Sequence, residues 1–286
     1  MSDSASLRTI FFIVSCYITT IFAAIPTGWF IFHGHSGPAS LGLWVSIANL
    51  VHAINSTIWQ KDVVNRSPIW CDITSKVIIL IYSTGTICSC LCMAKFLAFA
   101  LSPSPRNICY DERRKINIRN YIFSFGFPIA LVPFHYLYSP TRFGIYRSMG
   151  CEASYVLTWP AFFFFIIWSP IFGIIAVVYT AYVGIRLYQR KKERFDKNKP
   201  NSKVPTLRLA WLCITYTTVA VPLSIYYLIQ LLMNGDYLIF SASNIRASLQ
   251  KAPTFYDTLS LIAGVIYVMF FTFSTELRAL YISTFK

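Results

Sequence analysis

The sequence predicts an all-α, polytopic membrane protein: one seven-transmembrane helix bundle with its N-terminus outside the cell and its C-terminus in the cytoplasm. Residues of the set AVILMFWYC make up 56% of the 286 residues, charged residues only 13%, and the mean hydropathy is +0.54. A soluble domain carries about 25% charged residues. The charges collect in short tracts and leave apolar stretches of about 20 residues, which is the length that crosses a bilayer.

Seven such stretches follow one another along the chain. They are Thr9–Phe32, Pro38–Trp59, Asp72–Leu101, Asn120–Ser139, Val156–Tyr188, Leu207–Met233 and Phe255–Tyr281. No repeat or low-complexity tract divides them, so we expect residues 1–286 to form one seven-transmembrane domain. The first stretch is too long for the core of a signal peptide and follows no cleavage-site pattern, so we expect it to be a retained span.

The direction of the bundle follows from the Lys and Arg residues near the span ends, which concentrate on the cytoplasmic side of membrane proteins. With the N-terminus outside, sixteen of them fall on the cytoplasmic side and seven on the outer side. The net charge of +14 therefore indicates topology rather than binding to nucleic acid.

The eight cysteines sort by compartment. Only Cys71 and Cys151 fall on the oxidising outer side, where disulfides persist, so we predict one bridge between them; two free buried thiols are the alternative. Cys88, Cys90 and Cys92 lie in span three without a nearby histidine, which favours packing over a metal site.

Polar residues within the spans crowd towards the outer halves of the helices. Span three carries a stripe that begins with Asp72 and Lys76, one turn apart, and we expect these two to neutralise each other. Because polar groups in a bilayer face the bundle interior, the pattern predicts an outward-opening polar and aromatic cavity. Interhelical hydrogen bonds with no role in ligand binding are the alternative.

Pro222, midway along span six, would let the inner end of that helix swing, or would only shape it.

The chemistry-bearing motifs of enzymes are missing from the sequence. It contains no G-x-S-x-G, no H-E-x-x-H and no P-loop, so neither an enzyme nor a cofactor is expected. A small-solute membrane transporter is the alternative function, but the spans show no inverted or parallel repeat. Seven spans, an outer disulfide and two basic inner loops fit a G-protein-coupled receptor best.

Four short motifs narrow the class of receptor. They are Trp70-Cys71-Asp72-Ile73, Arg142-Phe143-Gly144-Ile145 followed by Gly150-Cys151, Pro222-Leu223-Ser224-Ile225-Tyr226, and Ser274-Thr275-Glu276. The D-R-Y and N-P-x-x-Y motifs of rhodopsin-like receptors are absent. In this order, and over nearly the whole chain, the motifs resemble the fungal a-factor-type mating pheromone receptors of class D, which bind lipopeptides.

The resemblance implies a plasma-membrane receptor whose ligand is a secreted, farnesylated peptide pheromone and whose partner is a heterotrimeric G protein; it leaves homodimerisation open. Family receptors commonly carry a long cytoplasmic tail, whereas this sequence ends at Lys286. The candidate ligand-binding residues are Asn55, Trp59, Asp72, Lys76, Tyr82, Arg142, Tyr155, Trp159, Tyr226, Tyr227, Gln230 and Tyr256. The candidate G-protein contacts are Arg113, Arg114, Arg190, Lys191, Arg194 and Arg208, with anionic lipid headgroups as the alternative for these basic segments.

Overall fold

The computed structural model describes residues 2–76, 82–101, 110–139, 142–153, 158–197, 204–234 and 256–272, and these residues are mostly helical. The α-helices are α1 (Ser2–Phe32), α2 (Ser36–Ile58), α3 (Pro68–Ser75), α4 (Tyr82–Ala100), α5 (Tyr110–Tyr121), α6 (Phe127–Leu131), α7 (Trp159–Ala161), α8 (Trp168–Lys197), α9 (Val204–Asn234) and α10 (Tyr256–Thr272). Strands β1 (Gly144–Tyr146) and β2 (Gly150–Glu152) form one antiparallel hairpin.

Five helical segments are long and apolar enough to cross a membrane. They are Leu7–Phe32, Ser36–Ile58, Tyr82–Phe99, Trp159–Gln189 and Leu209–Tyr226, and a shorter apolar helix covers Ser260–Phe271. These segments correspond to predicted spans one, two, three, five, six and seven. The prediction of a helical membrane bundle is therefore confirmed, while the count of seven spans and the direction of the termini stay predictions.

Predicted span four is helical but irregular. A π-helix at Ile122–Gly126 joins α5 to α6, and Pro133–Leu137 forms a 3-10 helix. Pro133 has no backbone N–H, and its ring collides with the carbonyl of the residue four positions earlier, so the α-helix ends before it. The chain then tightens: the N–H of Val132 donates to Ile129 O at 3.1 Å, and that of His135 donates to Val132 O at 3.1 Å.

Helix α4 is the centre of the bundle and packs against α2, α8 and α9. Of its most apolar stretch, 67% is buried inside the protein, against 22% for α1 at the periphery. Met93 and Leu97 of α4 and Leu212 of α9 are fully buried in the main core. Helices α1 and α8 leave large apolar side chains exposed, such as Phe11, Ile21 and Val178. Exposure of so many apolar side chains is unfavourable in water and is typical of a surface that faces lipid.

Polar side chains inside the bundle tie the helices together. The amide of Asn49 in α2 donates to Val45 O at 2.8 Å and to Ser260 O in α10 at 3.0 Å. The hydroxyl of Tyr267 in α10 donates to Pro38 O in α2 at 3.1 Å. For these residues, interhelical hydrogen bonding accounts for the polar pattern in the sequence.

A second polar connection joins α2, α4 and the π-helix of span four. The indole of Trp44 donates to Ser124 Oγ at 3.4 Å, and Ser124 lies 2.5 Å from Ser89 Oγ. Gly85 makes this approach possible, because a Cβ at Gly85 would collide with the Trp44 ring. The irregular span is therefore fixed to the central helix.

The β1–β2 hairpin and the Cys71–Cys151 bridge lie at one end of the bundle, which we name the disulfide end. The turn between α1 and α2, at residues 33–35, lies at the other end, which we name the opposite end. In the hairpin Ile145 pairs with Cys151, and Tyr146 pairs with Gly150. The tip of the hairpin requires positive φ at Ser148 (70°) and at Gly150 (83°). Glycine adopts positive φ without steric cost, whereas serine does not.

Candidate functional site

The Cys71–Cys151 disulfide joins α3 to β2 across 80 residues of chain, with the two Cα atoms 5.1 Å apart. The predicted pairing is confirmed. The bridge holds the hairpin over the ends of α2 and α3, both of which contact β2.

A small hydrophobic cluster surrounds the bridge. Trp59, Cys71 and Cys151 are fully buried, and the side chains packed against them are Ile58, Trp70, Phe143 and Ile145. The indole of Trp59 donates to Val64 O at 2.9 Å, and its carbonyl accepts the N–H of Ser148 at 2.9 Å. Trp59 thus supports the hairpin from beneath, and its role in ligand binding stays a prediction.

Asn55 is fully buried beneath the hairpin, and both ends of its amide are engaged. Its Nδ2 donates to Cys151 O at 3.4 Å, and its Oδ1 accepts the Trp70 indole N–H at 2.8 Å. Gly150 lies directly above it, since a Cβ at Gly150 would come within 2.6 Å of Asn55 Cβ. Asn55 therefore fixes the height of the hairpin above α2.

Charged residues hold the loop before the hairpin against the C-terminal end of α3. Asp72 forms an ion pair with Arg142, and Lys76 Nζ donates to Arg142 O at 2.7 Å. The loop folds back and brings Arg142 to the carboxylate, so Asp72 has a partner that the sequence did not indicate, and its neutralisation by Lys76 stays a prediction. The hydrogen bond and the charge of Asp72 raise the pKa of Arg142 above its ordinary value.

Lys76 is buried, and its ammonium also lies 5.8 Å from the centre of the Tyr136 ring. An ammonium over an aromatic face is attracted to its electron-rich centre. Oδ1 of Asp72 is buried, and within the described residues it has no hydrogen-bond partner. The pair of Asp72 and Lys76 therefore joins α3 to the loop and keeps one carboxylate oxygen free for a further donor.

The other predicted ligand-binding residues differ in exposure and in how much of them the structure describes. Trp159 and Tyr226 are exposed, at 57% and 60%, while Tyr82 packs half-buried against the cluster of Trp44, Tyr138 and Ala161. Tyr155 lies outside the described residues. For Tyr227, Gln230 and Tyr256 the structure describes the helical backbone alone.

Sequence reasoning missed Trp70 and Tyr136 as members of this end. Trp70 stands next to Cys71 in a motif already singled out, and that adjacency could have placed it near the bridge. Tyr136 belongs to the 3-10 turn after Pro133, and its nearness to Lys76 depends on the irregular path of span four.

Two cavities lie away from the disulfide end. The first is at the opposite end, lined by Gly34, His35, Ser36, Gly37, Pro38, Met93, Phe96, Arg113, Ile116, Asn117 and Leu209. The second is inside the bundle between α4, α8 and α9, lined by Thr86, Ile87, Cys90, Gly173, Ala176, Tyr216, Thr217 and Val221. The second cavity adjoins Pro222 in sequence, and an internal proline is where α9 is most easily bent.

Of the predicted G-protein contacts, Arg113 lines the first cavity and Arg114 is exposed beside it on α5. The amide of Asn117, one turn after Arg113, donates to Gly34 O at 2.8 Å and fixes α5 against the α1–α2 turn. Arg190, Lys191 and Arg194 of α8 and Arg208 of α9 have a described backbone only.

A bundle of apolar helices that is closed at one end by a disulfide-tethered hairpin, with a basic cleft at the other end, is typical of a membrane receptor. The sequence profile of the family described as Pheromone A receptor (STE3) matches residues 11–286. The chain therefore belongs to this fungal pheromone receptor family, whose members are receptors rather than enzymes. With several membrane-span helices, it is a multi-pass protein of the plasma membrane.

Individual relatives agree with the family. The chain is similar to the Pheromone B alpha 3 receptor of Schizophyllum commune, at 24% identity over 74% of this chain and 34% of that protein. It is similar to the Pheromone a factor receptor of Saccharomyces cerevisiae, at 26% identity over 75% of this chain and 47% of that protein. Pheromone receptor 2 of Mycosarcoma maydis is 22% identical over 70% of this chain and 58% of its own length.

The chain spans about a third of the length of the three Schizophyllum pheromone B alpha receptors that it matches. What those receptors bind and activate is accordingly transferred to this chain only as a proposal.

Proposed function

We propose that this protein is a G-protein-coupled receptor for a secreted, farnesylated peptide mating pheromone and signals through a heterotrimeric G protein. The observation that carries the proposal is the family match over residues 11–286, together with the similarity to a protein named as an a-factor receptor. The disulfide end supports it, because a covalently held hairpin gives a ligand a fixed surface to recognise.

The proposed orientation puts the N-terminus and the disulfide end outside and the basic opposite end in the cytoplasm, with seven spans between them. A disulfide persists in an oxidising compartment, which supports the outer position of the Cys71–Cys151 bridge. The exposed cations of α5 support the inner position of the opposite end.

The ligand would bind at the disulfide end, against the twelve residues predicted above. Arg142, Trp159 and Tyr226 are exposed and would contact the ligand directly. Asn55, Trp59 and Lys76 would act from beneath by holding the hairpin in place. The prenyl chain would bind among apolar side chains of the outer helix halves, where each buried CH₂ contributes about 0.8 kcal/mol.

Signalling would follow from a shift between two arrangements of α9. A ligand shifts such an equilibrium only by its differential affinity for the two states. The cavity beside Val221 and Gly173 leaves room for the inner half of α9 to move about Pro222. Movement there would open the cleft lined by Arg113 to the G protein.

The test is nucleotide exchange on a fungal heterotrimeric G protein by the purified receptor in lipid nanodiscs, with a panel of farnesylated peptides and their unprenylated counterparts. We expect at least one farnesylated peptide to accelerate exchange and its unprenylated form to be far weaker. Equal potency of the two forms would rule out the lipid-binding role. Solute uptake into liposomes without any exchange activity would replace the proposal with a transporter.

A further inference from the structure

Two cations from different helices share one location at the opposite end. Ser89 of α4 lies 2.5 Å from Ser124 of span four, and the two helices run antiparallel. Lys95, six residues after Ser89, and Arg119, five residues before Ser124, therefore come to the same level of the bundle. Both are exposed. The ion pairs within the described part of the chain are Arg66–Asp62 and Arg142–Asp72, and neither of them neutralises this pair.

Helix α5 adds a third cation and an apolar strip to the same location. Lys115 precedes Arg119 by one helical turn, so two like charges lie side by side, an arrangement that is unfavourable without an anion between them. Ile118 and Ile122 are likewise one turn apart, and they expose 49% and 65% of their surface. A row of cations therefore runs beside a row of exposed isoleucines.

We propose that Lys95, Lys115 and Arg119 bind the headgroup of an anionic phospholipid whose acyl chains lie along Ile118 and Ile122. The three cations would be spaced around one phosphate-bearing headgroup, and the isoleucines continue the surface towards the predicted bilayer. Basic positions between helices near the cytoplasmic face are suited to such headgroups. A soluble phosphate would gain nothing from the two isoleucines.

This lipid site is distinct from the cleft that would receive the G protein. Asn117, on the side of α5 that faces the α1–α2 turn, lies two residues before Arg119, and residues two apart point to nearly opposite sides of a helix. Arg113 lines the cleft, one turn before Asn117 and on the same side. One side of α5 is thus assigned to the partner protein and the other to lipid.

The inference rests on the orientation given under the proposed function, which puts this end in the cytoplasmic leaflet where anionic lipids concentrate. It does not depend on the pheromone. The binding experiment therefore uses the full chain in detergent without pheromone or G protein, so that a failure of lipid binding leaves the receptor proposal to its own test.

The experiment titrates an acyl-labelled phosphatidylserine onto the purified receptor and reads binding by energy transfer from the protein's tryptophans, with labelled phosphatidylcholine as the neutral reference. The test variant is Lys95→Gln with Arg119→Gln. The matched control is Lys61→Gln with Arg147→Gln, which removes two exposed positive charges from the disulfide end and leaves the opposite end unchanged. We expect the test variant to bind phosphatidylserine about tenfold more weakly and the control to change by less than about twofold.

If both variants weaken phosphatidylserine binding equally, the effect is one of overall charge and the proposed site is overturned. No weakening by the test variant would also overturn it. Displacement of phosphatidylserine by millimolar inorganic phosphate would overturn the assignment to lipid. If the double variant fails to fold, Lys115→Gln at an exposed position takes its place. We expect at least a twofold loss from that single change, and no loss would overturn the proposal.

Discussion

Asn55 is a polar side chain that lies fully buried and serves three elements at once. Its amide meets the Cys151 carbonyl in β2 and the Trp70 indole in α3, while its own Cα lies in α2. Asn55 was predicted as a candidate ligand-binding residue, but neither of its partners could be predicted, because both come from parts of the chain that fold back over the end of α2.

Trp70→Phe should destabilise the receptor measurably. Phenylalanine keeps most of the packing but removes the indole N–H, and a buried acceptor without its partner costs about 1–3 kcal/mol. We expect the apparent melting temperature of the purified receptor to fall by several degrees. Asp62→Asn, which breaks an exposed ion pair with Arg66, is the control and should lower it by less. Equal falls would contradict a buried role for the Trp70–Asn55 bond.

Gly150→Ala should disturb the hairpin more than its size implies. Gly150 has φ of +83°, and the added Cβ would lie 2.6 Å from Asn55 Cβ. Surface expression and pheromone affinity should both fall, since the hairpin must lift away from α2. Gly28→Ala in α1 adds the same methyl group where nothing lies within 4 Å, and it should leave both measurements unchanged. A silent Gly150→Ala would show that the hairpin tolerates displacement.

Among the elements, the long regular helices were predictable and the irregular span was not. Apolar runs such as Thr9–Phe32 predict a helix, because a single segment in the bilayer can satisfy its backbone hydrogen bonds only as a helix. Span four was predicted as one continuous helix, but the π-helix at Ile122–Gly126 depends on how Ser124 meets Trp44 and Ser89. Contacts of that kind are set by packing, which a one-dimensional pattern does not encode.

The contact between α8 and α9 beside the second cavity yields a prediction at the scale of elements. Gly173→Ala would put a Cβ 2.9 Å from Val221 Cγ2, next to Pro222 and in the space that α9 would use to move. We expect pheromone-stimulated nucleotide exchange to fall about fivefold or more, because overpacking costs about 1–3 kcal/mol and disfavours one arrangement.

The control for this prediction is Gly184→Ala on the same helix, where nothing lies within 4 Å of the added methyl group. It should leave exchange unchanged and slightly favour the helix, since alanine is the better helix former. If the two substitutions behave alike, the effect belongs to helix propensity and not to the cavity.

At the scale of the whole molecule, the Cys71–Cys151 disulfide connects α3 to the β1–β2 hairpin that covers the disulfide end. Cys71→Ser and Cys151→Ser should each lower the apparent stability by about 2–5 kcal/mol and reduce surface expression, because the bridge closes 80 residues of chain. The measurements are the melting temperature and cell-surface labelling.

The double variant is the control for this prediction. Since either serine already breaks the bridge, the second should add little, whereas two independent buried thiols would give additive losses. Additivity would show that each cysteine matters for packing alone.

The position of the bridge also bears on how the protein is made. Both cysteines lie within the first 151 residues, and the chain is synthesised from its N-terminus. The disulfide can therefore form while the segments that become α8, α9 and α10 are still being synthesised. Those later helices would then assemble onto an N-terminal half whose disulfide end already has its final geometry. A folding defect in them would leave an intact, oxidised N-terminal intermediate for quality control to recognise.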